Sequence, residues 1–187
     1  FQLSAQGSVG LDSVRRVYNV PFGEYATGSA RYSALIRTSP RKFDLTIESN
    51  LQGMKIALPA PFGKTADAEM TFKLERNIEE AVGGKGPPIR NQMRVSMGPL
   101  VNVLARFRVD NSVNTLDQAT VTLGDAAAIL PERPMVIVSG NLKTLDLDQL
   151  MPVLRKGTAG GPAPVGAPPI GPITMHAAEL IVAGRRL

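Results

Sequence analysis

The chain has 187 residues, no cysteine, one histidine and a formal charge of +5 from 21 basic and 16 acidic side chains. That length fits one domain and buries a core without staples, while the missing thiols and imidazoles remove the usual zinc ligand sets and leave a Cys–His or Ser–His nucleophile system little to work with. The mild positive excess suits anionic partners, yet Lys and Arg are scattered and aromatic residues make up only 5 %, so the stacking platform of a nucleic-acid binder is missing and no nucleic-acid partner is expected.

In chain order, residues 1–21 read as a strand followed by a helix, because Leu11, Val14, Val17 and Tyr18 fall at i, i+3, i+6 and i+7. From 28 to 142 the pattern has period two, the mark of strands with one apolar and one polar face. Phe43, Leu45 and Ile47 alternate with Asp44, Thr46 and Glu48. Met54, Ile56 and Leu58 repeat the alternation, and Met70, Phe72 and Leu74 oppose Glu69, Thr71 and Lys73. Met93, Val95 and Met97 follow, then Val101, Val103, Ala105, Phe107 and Val109 form the longest ribbon, with Arg106 and Arg108 opposite; Val121 and Leu123 continue the series. Ser39-Pro40, the run from Gly83 to Pro88, Gly98-Pro99 and Asp110-Asn111-Ser112 are turn punctuation. Short links between amphipathic strands predict an antiparallel meander. Met135 to Val138 is apolar on both sides, which predicts a strand covered on both faces.

A helix is expected over 143–156, with Leu147, Leu150, Val153 and Leu154 on its apolar face and Pro152 near its first turn. "QGSVGLDSV" and "SGNLKTLDLDQL" share a lead-in that ends on Leu-Asp, which predicts an internal repeat of strand, turn and short helix, with Asp12 and Asp148 as N-caps. Residues 157–172 form a Gly/Pro/Ala-rich linker, and 173–187 a final strand. No apolar run approaches the ~20 residues of a membrane helix. The open-ended first and last residues predict a piece of a longer protein, with any signal or anchor outside it.

The chemistry-bearing candidates are few. "PFGKT" resembles a phosphate loop, but the glycine required five residues before Gly63 is Leu58, so Lys64 reads as a solvated loop residue. Gly83, Gly84 and Gly86 around Lys85 read as a hairpin turn, and Asp146 with Asp148 as helix-capping carboxylates. His176 stands alone in a strand, and Glu79-Glu80 sits in charged, loop-like surroundings. No catalytic residue, metal site or cofactor is assigned, and the chain is read as no enzyme.

What remains is the apolar side of the strands. Phe43, Leu45, Ile47, Met54, Ile56, Leu58, Met70, Phe72, Leu74, Val103 and Phe107 line either an adaptable lipid groove or a closed core, since methionine serves both. An amphipathic sheet must cover this face, and only two short helices are available to do so.

"GSARYSALIR" and "LTIESNLQGMKIALPAPFGKTADAEMTFKLER" resemble the YhdP family of AsmA-like envelope proteins, in which a Ser-Asn/Asp-Leu-x-Gly strand ends in Leu-Pro-x-Pro-x-x-Lys; the matching residues are Ser49, Asn50, Leu51, Gly53, Leu58, Pro59, Pro61 and Lys64. "SGNLKTLDLDQLMPVL" resembles the family's later segment, with Leu150 where tryptophan is frequent, and "AAELIVAGRRL" its next strand. The resemblance implies that 1–187 is one fragment of a larger repetitive β-groove: a curved, taco-like sheet in the periplasm of Gram-negative bacteria, anchored in the inner membrane. Its apolar groove would pass phospholipid, a transient cargo, toward the outer membrane. The alternative is a structural or interaction module with a closed core, docking envelope proteins; an enzyme acting on envelope glycan or lipid is a third reading. Exposed sheet edges would also allow copies of the fragment to pair.

Overall fold

The alternating segments become eleven strands: β1 (Gln2–Gly10), β2 (Ala26–Ser39), β3 (Lys42–Ser49), β4 (Met54–Ile56), β5 (Phe72–Glu79), β6 (Arg90–Met97), β7 (Val101–Asp110), β8 (Val113–Leu123), β9 (Val136–Asp146), β10 (Ile170–Val182) and β11 (Arg185–Arg186). The period-3.6 segments become α1 (Leu11–Val17) and α2 (Leu147–Thr158). The computed structural model describes residues 1–17, 23–81, 88–110, 113–158 and 167–186. The fold is mainly β, one open sheet in the order β1-β2-β3-β5-β6-β7-β8-β9-β10-β11, with β4 attached to β2 alone. Among the described residues no helix is long and apolar enough to cross a membrane.

Pairing is antiparallel from β1 through β8. Between β8 and β9, and again between β9 and β10, it is parallel, where the sequence reading carried an antiparallel meander to residue 142. Residues 124–135 carry the chain back from Leu123 to the level of Ala119, where Val136 pairs, about the length a parallel crossover needs. This return packs on the sheet: Thr120 Oγ1 donates to the Ile129 carbonyl at 2.6 Å, Asn102 Nδ2 reaches the Gly124 and Ala126 carbonyls, and Ala128 is buried.

Both predicted strand–helix units exist, but they close differently. β1 and β2 flank α1 and pair antiparallel, whereas β9 and β10 flank α2 and pair parallel. The cap of α2 is Asp146, whose Oδ1 accepts from the Gln149 N–H at 3.0 Å. Asp148, expected to be the cap, lies two residues further on, in the first turn. Its carboxylate instead accepts from the Ala183 and Gly184 N–H groups at 2.9 and 2.8 Å, tying α2 to the β10–β11 turn. Those two bonds, Gly184's first, hold its carboxyl below the usual aspartate range. Pro152 falls inside the helix rather than at its start. Tyr18 and half of the Gly/Pro-rich linker, 159–166, lie outside the described residues.

The packed core is small and off-centre. Leu11, Ala30, Leu51 and Met54 are buried together, with Val14, Ala26, Met70, Phe72 and Met97 packed around them. α1 therefore covers one end of the sheet's apolar face. Among the described residues no large side chain is fully buried, as expected of a sheet without a continuous second layer.

Candidate functional site

Register turns the alternating residues into rows that cross the sheet. One row runs Ala5, Ala34 and Ile47 over β1 to β3, continues as Leu74, Val95 and Val103 over β5 to β7, and ends as Val121, Val138 and Ile173 over β8 to β10. Every member is apolar. The next row is Leu3, Ile36, Leu45, Arg76, Met93, Ala105, Ala119, Val136 and Ile170. Neighbouring strands lie ~4.8 Å apart, so nine strands span about 38 Å. Toward the sheet's sides the rows reach solvent, with Leu3 48 %, Ile173 66 % and Ile170 74 % exposed.

The opposite face is polar and laced by ions and amides. Lys73 pairs with Glu75 at 3.0 Å and Glu48 at 3.6 Å, and Asn77 Nδ2 donates to Asp44 at 2.7 Å. The two faces thus differ as the alternation requires.

The sequence-predicted lining residues fall into two groups. Phe43, Leu45, Ile47, Leu74 and Val103 stand on the apolar face of the main sheet, joined by Phe107 beyond the bulge at Asp117 of β8. Phe72 is also on that face, but it packs with Met70 against the corner under α1. Met54 and Ile56 are buried in β4, away from the main rows. Leu58 follows β4, and Met70 precedes β5, so neither belongs to the strand in which it was expected.

This corner explains the Ser-Asn-Leu-x-Gly and Leu-Pro-x-Pro-x-x-Lys segments. Ser49 Oγ donates to the Arg31 carbonyl at 2.6 Å and accepts from the Leu51 N–H at 3.0 Å. Asn50 Oδ1 accepts from the Gln52 N–H, so the two short side chains form the turn. Leu51 adopts φ 50° and Gly53 φ 91°. A Cβ on Gly53 would sit 2.4 Å from the Ser29 carbonyl oxygen, which is why the turn needs glycine there. The Ala60–Pro61 bond is cis.

Lys64 is not a solvated loop residue. Its Nζ donates to the carbonyls of Met54 at 2.5 Å and of Leu51 and Thr65 at 2.9 Å. Its backbone pairs with Ile56 in both directions at 2.9 Å. Burial pushes the ammonium below the usual lysine value, and Asp67 opposes that shift. Lys64 fastens the corner rather than a phosphate.

Arg76, absent from the sequence reading, interrupts the apolar rows. It follows Leu74 by two residues, so extending the same alternation would have placed it on the apolar face. Its guanidinium lies over the Phe107 ring, 4.6 Å from the centroid, and Nη2 donates to Asn91. Asn91 is buried and passes a hydrogen bond to Asn114 at 2.8 Å.

The remaining candidates resolve simply. Asp146 caps a helix, Glu79 pairs with Lys42 at 3.2 Å, and His176 stands opposite Asn141 on an exposed part of β10. Gly83, Gly84, Lys85 and Gly86 lie outside the described residues. Among the described residues no three His, Cys, Asp or Glu side chains gather to hold a metal.

No curated protein and no solved structure matches the chain. The family model described as YhdP protein matches residues 1–187, the full extent of the apolar sheet and its flanking helices, and the chain belongs to the YhdP family.

Proposed function

We propose that the apolar rows carry the acyl chains of phospholipid, and that this chain is a segment of a periplasmic lipid-transfer protein. In this reading the full protein is anchored to the inner membrane, moves phospholipid between inner and outer membranes and so supports the outer-membrane barrier. The face works by binding alone, without catalysis or cofactor. The observation that carries the reading is the unbroken row from Ala5 to Ile173, none of whose members belongs to the small core packed around α1.

The dimensions and energetics agree. Half of a ~30 Å hydrocarbon layer is about 15 Å, the length of an acyl chain in one leaflet, and it fits across a face about 38 Å wide. Each CH₂ moved from water onto such a face gains about 0.8 kcal/mol. Phospholipid leaving a bilayer thus loses little, provided the face stays dry. Met93 on the second row and Met175 on the same face let it adapt to chains of differing shape.

The test is native mass spectrometry of the purified chain with lipid extraction, beside Leu74→Glu, which puts a charge in the middle of the all-apolar row. Co-purified or added phospholipid should bind the wild type and be lost from the folded variant. A folded wild type that refuses phospholipid overturns the reading and favours an envelope-protein docking surface.

A further inference from the structure

Arg76 is the one charged side chain on the two adjacent rows that run from β1 to β10, where the remaining seventeen positions are apolar. Among the described residues no carboxylate pairs with it. One of its nitrogens, Nη1, is buried without a hydrogen-bond partner. A guanidinium stays protonated at any physiological pH, so this charge cannot be shed as a buried lysine's can. Its present partners are a neutral amide, Asn91, and the face of Phe107. Both are weaker partners than a phosphate oxygen, which takes charge-assisted and often bidentate bonds from arginine.

An unpaired cation is a poor choice for a surface that only has to be apolar. Asn91, itself held by Asn114, binds the guanidinium from one side, and the Phe107 ring lies under it. That leaves a fixed positive point beside a stripe of aliphatic side chains, with Met93 and Leu45 on either flank in register. The arrangement matches a molecule with an anionic head joined to apolar chains. Desolvation lowers the affinity of Arg76 for its proton, the same cost that an arriving anion would offset.

We propose that Arg76 is an anion-binding point on the apolar face, taking the phosphate oxygens of an amphiphile whose acyl chains lie along the neighbouring rows. This assignment rests on the lipid-carrying reading above and adds to it a position and a headgroup chemistry. The amphiphile is held at two places: chains on the Ala5-to-Ile173 row, phosphate at the β5–β6–β7 crossing.

The experiment offers the purified chain an equimolar mixture of dioctanoyl phosphatidic acid and dioctanoylglycerol and reads the two adducts by native mass spectrometry. Inorganic phosphate is titrated separately against the ¹⁵Nε–Hε signal of Arg76. The wild type should favour the phosphate-bearing amphiphile by about tenfold, the worth of one good charge-assisted interaction. In Arg76→Met that ratio should fall to about one, with dioctanoylglycerol still bound. Arg76→Met should also melt no lower than the wild type, because it removes a part-buried charge that no carboxylate among the described residues pairs. A purely structural Arg76 would instead make it melt lower. If Arg76→Met does not fold, Arg76→Gln is read the same way. An unchanged ratio in a folded variant overturns the assignment and leaves the lipid-carrying reading intact. Failure of the wild type to take either amphiphile overturns both, and a phosphate-induced shift of the Arg76 signal in that case reassigns the point to free phosphate.

Discussion

Replacing Lys64 by methionine isolates the clamp at the β3–β4 corner. The substitution keeps the length and apolar stem of the side chain and removes the donors to Leu51, Met54 and Thr65. The Thr65 bond is exposed and counts for little, because water replaces it. The other two reach part-buried carbonyls. A charge-assisted bond of this kind contributes about 1.5–3 kcal/mol, and the ammonium's own desolvation offsets part of that, so the net loss is about 2–3 kcal/mol. For a chain of this size that corresponds to a melting point lower by roughly 4–12 °C. Urea unfolding with an unchanged m-value is the assay. A second reading comes from alkaline pH. Since Lys64 binds its proton less tightly in the folded state, the unfolded state holds more protons between the folded pKa and the ordinary lysine value. Stability of the wild type relative to Lys64→Met therefore rises with pH across that window. A Lys64→Met variant within about 0.5 kcal/mol of wild type, the range of ordinary surface changes, would refute the clamp.

Three further outcomes follow from the same geometry. Gly53→Ala meets both a left-handed backbone and a carbonyl 2.4 Å away and should cost about 2–4 kcal/mol, whereas Gly184→Ala, at φ 72° in open space, should cost about 1 kcal/mol; equal losses in denaturant melts would mean that the corner relaxes freely. The Asp148 tie, whose carboxyl is held down by the Gly184 and Ala183 amides, is complete above the ordinary aspartate range and lost as pH falls through the lower folded value. The amide shifts of residues 183 and 184 should titrate with that depressed midpoint and stay flat in Asp148→Asn. Leu74→Glu should remove lipid adducts and lower stability by about 1–3 kcal/mol, while Ser96→Glu, on the polar face opposite Lys73, should leave lipid binding intact; parallel effects on binding would show that the face is not the determinant.

Much of the sheet is legible because a strand's side chains alternate whatever surrounds it. Ile47, Leu74 and Val103 could be assigned to one apolar face from spacing alone, and the structure sets them in one row. Direction is another matter. The same alternation fits a parallel or an antiparallel neighbour, and it is the 124–135 return, packed on Thr120, that makes β8–β9 parallel. Met54 and Ile56 alternate as a main-sheet strand would, yet the turn at Ser49 to Gly53 lifts them out of β3 and onto β2. Asp146 and Asp148 are equally good caps in sequence; which one caps depends on where the helix starts, and which one is left over depends on a turn 35 residues away.

By itself the sequence determined which residues share a face, that the strands dominate and that the family segments lie at 49–64. Those are local properties, fixed by the two-residue repeat of an extended backbone and by glycine and proline geometry. Only the tertiary structure decided which apolar residues are enclosed by α1 and the Lys64 corner, which lie outside that packed core, and that Arg76 stands among the latter with no carboxylate partner among the described residues. Coverage depends on which distant segment comes to rest on a surface, and that is set by strand order and register across the whole sheet rather than by any one strand.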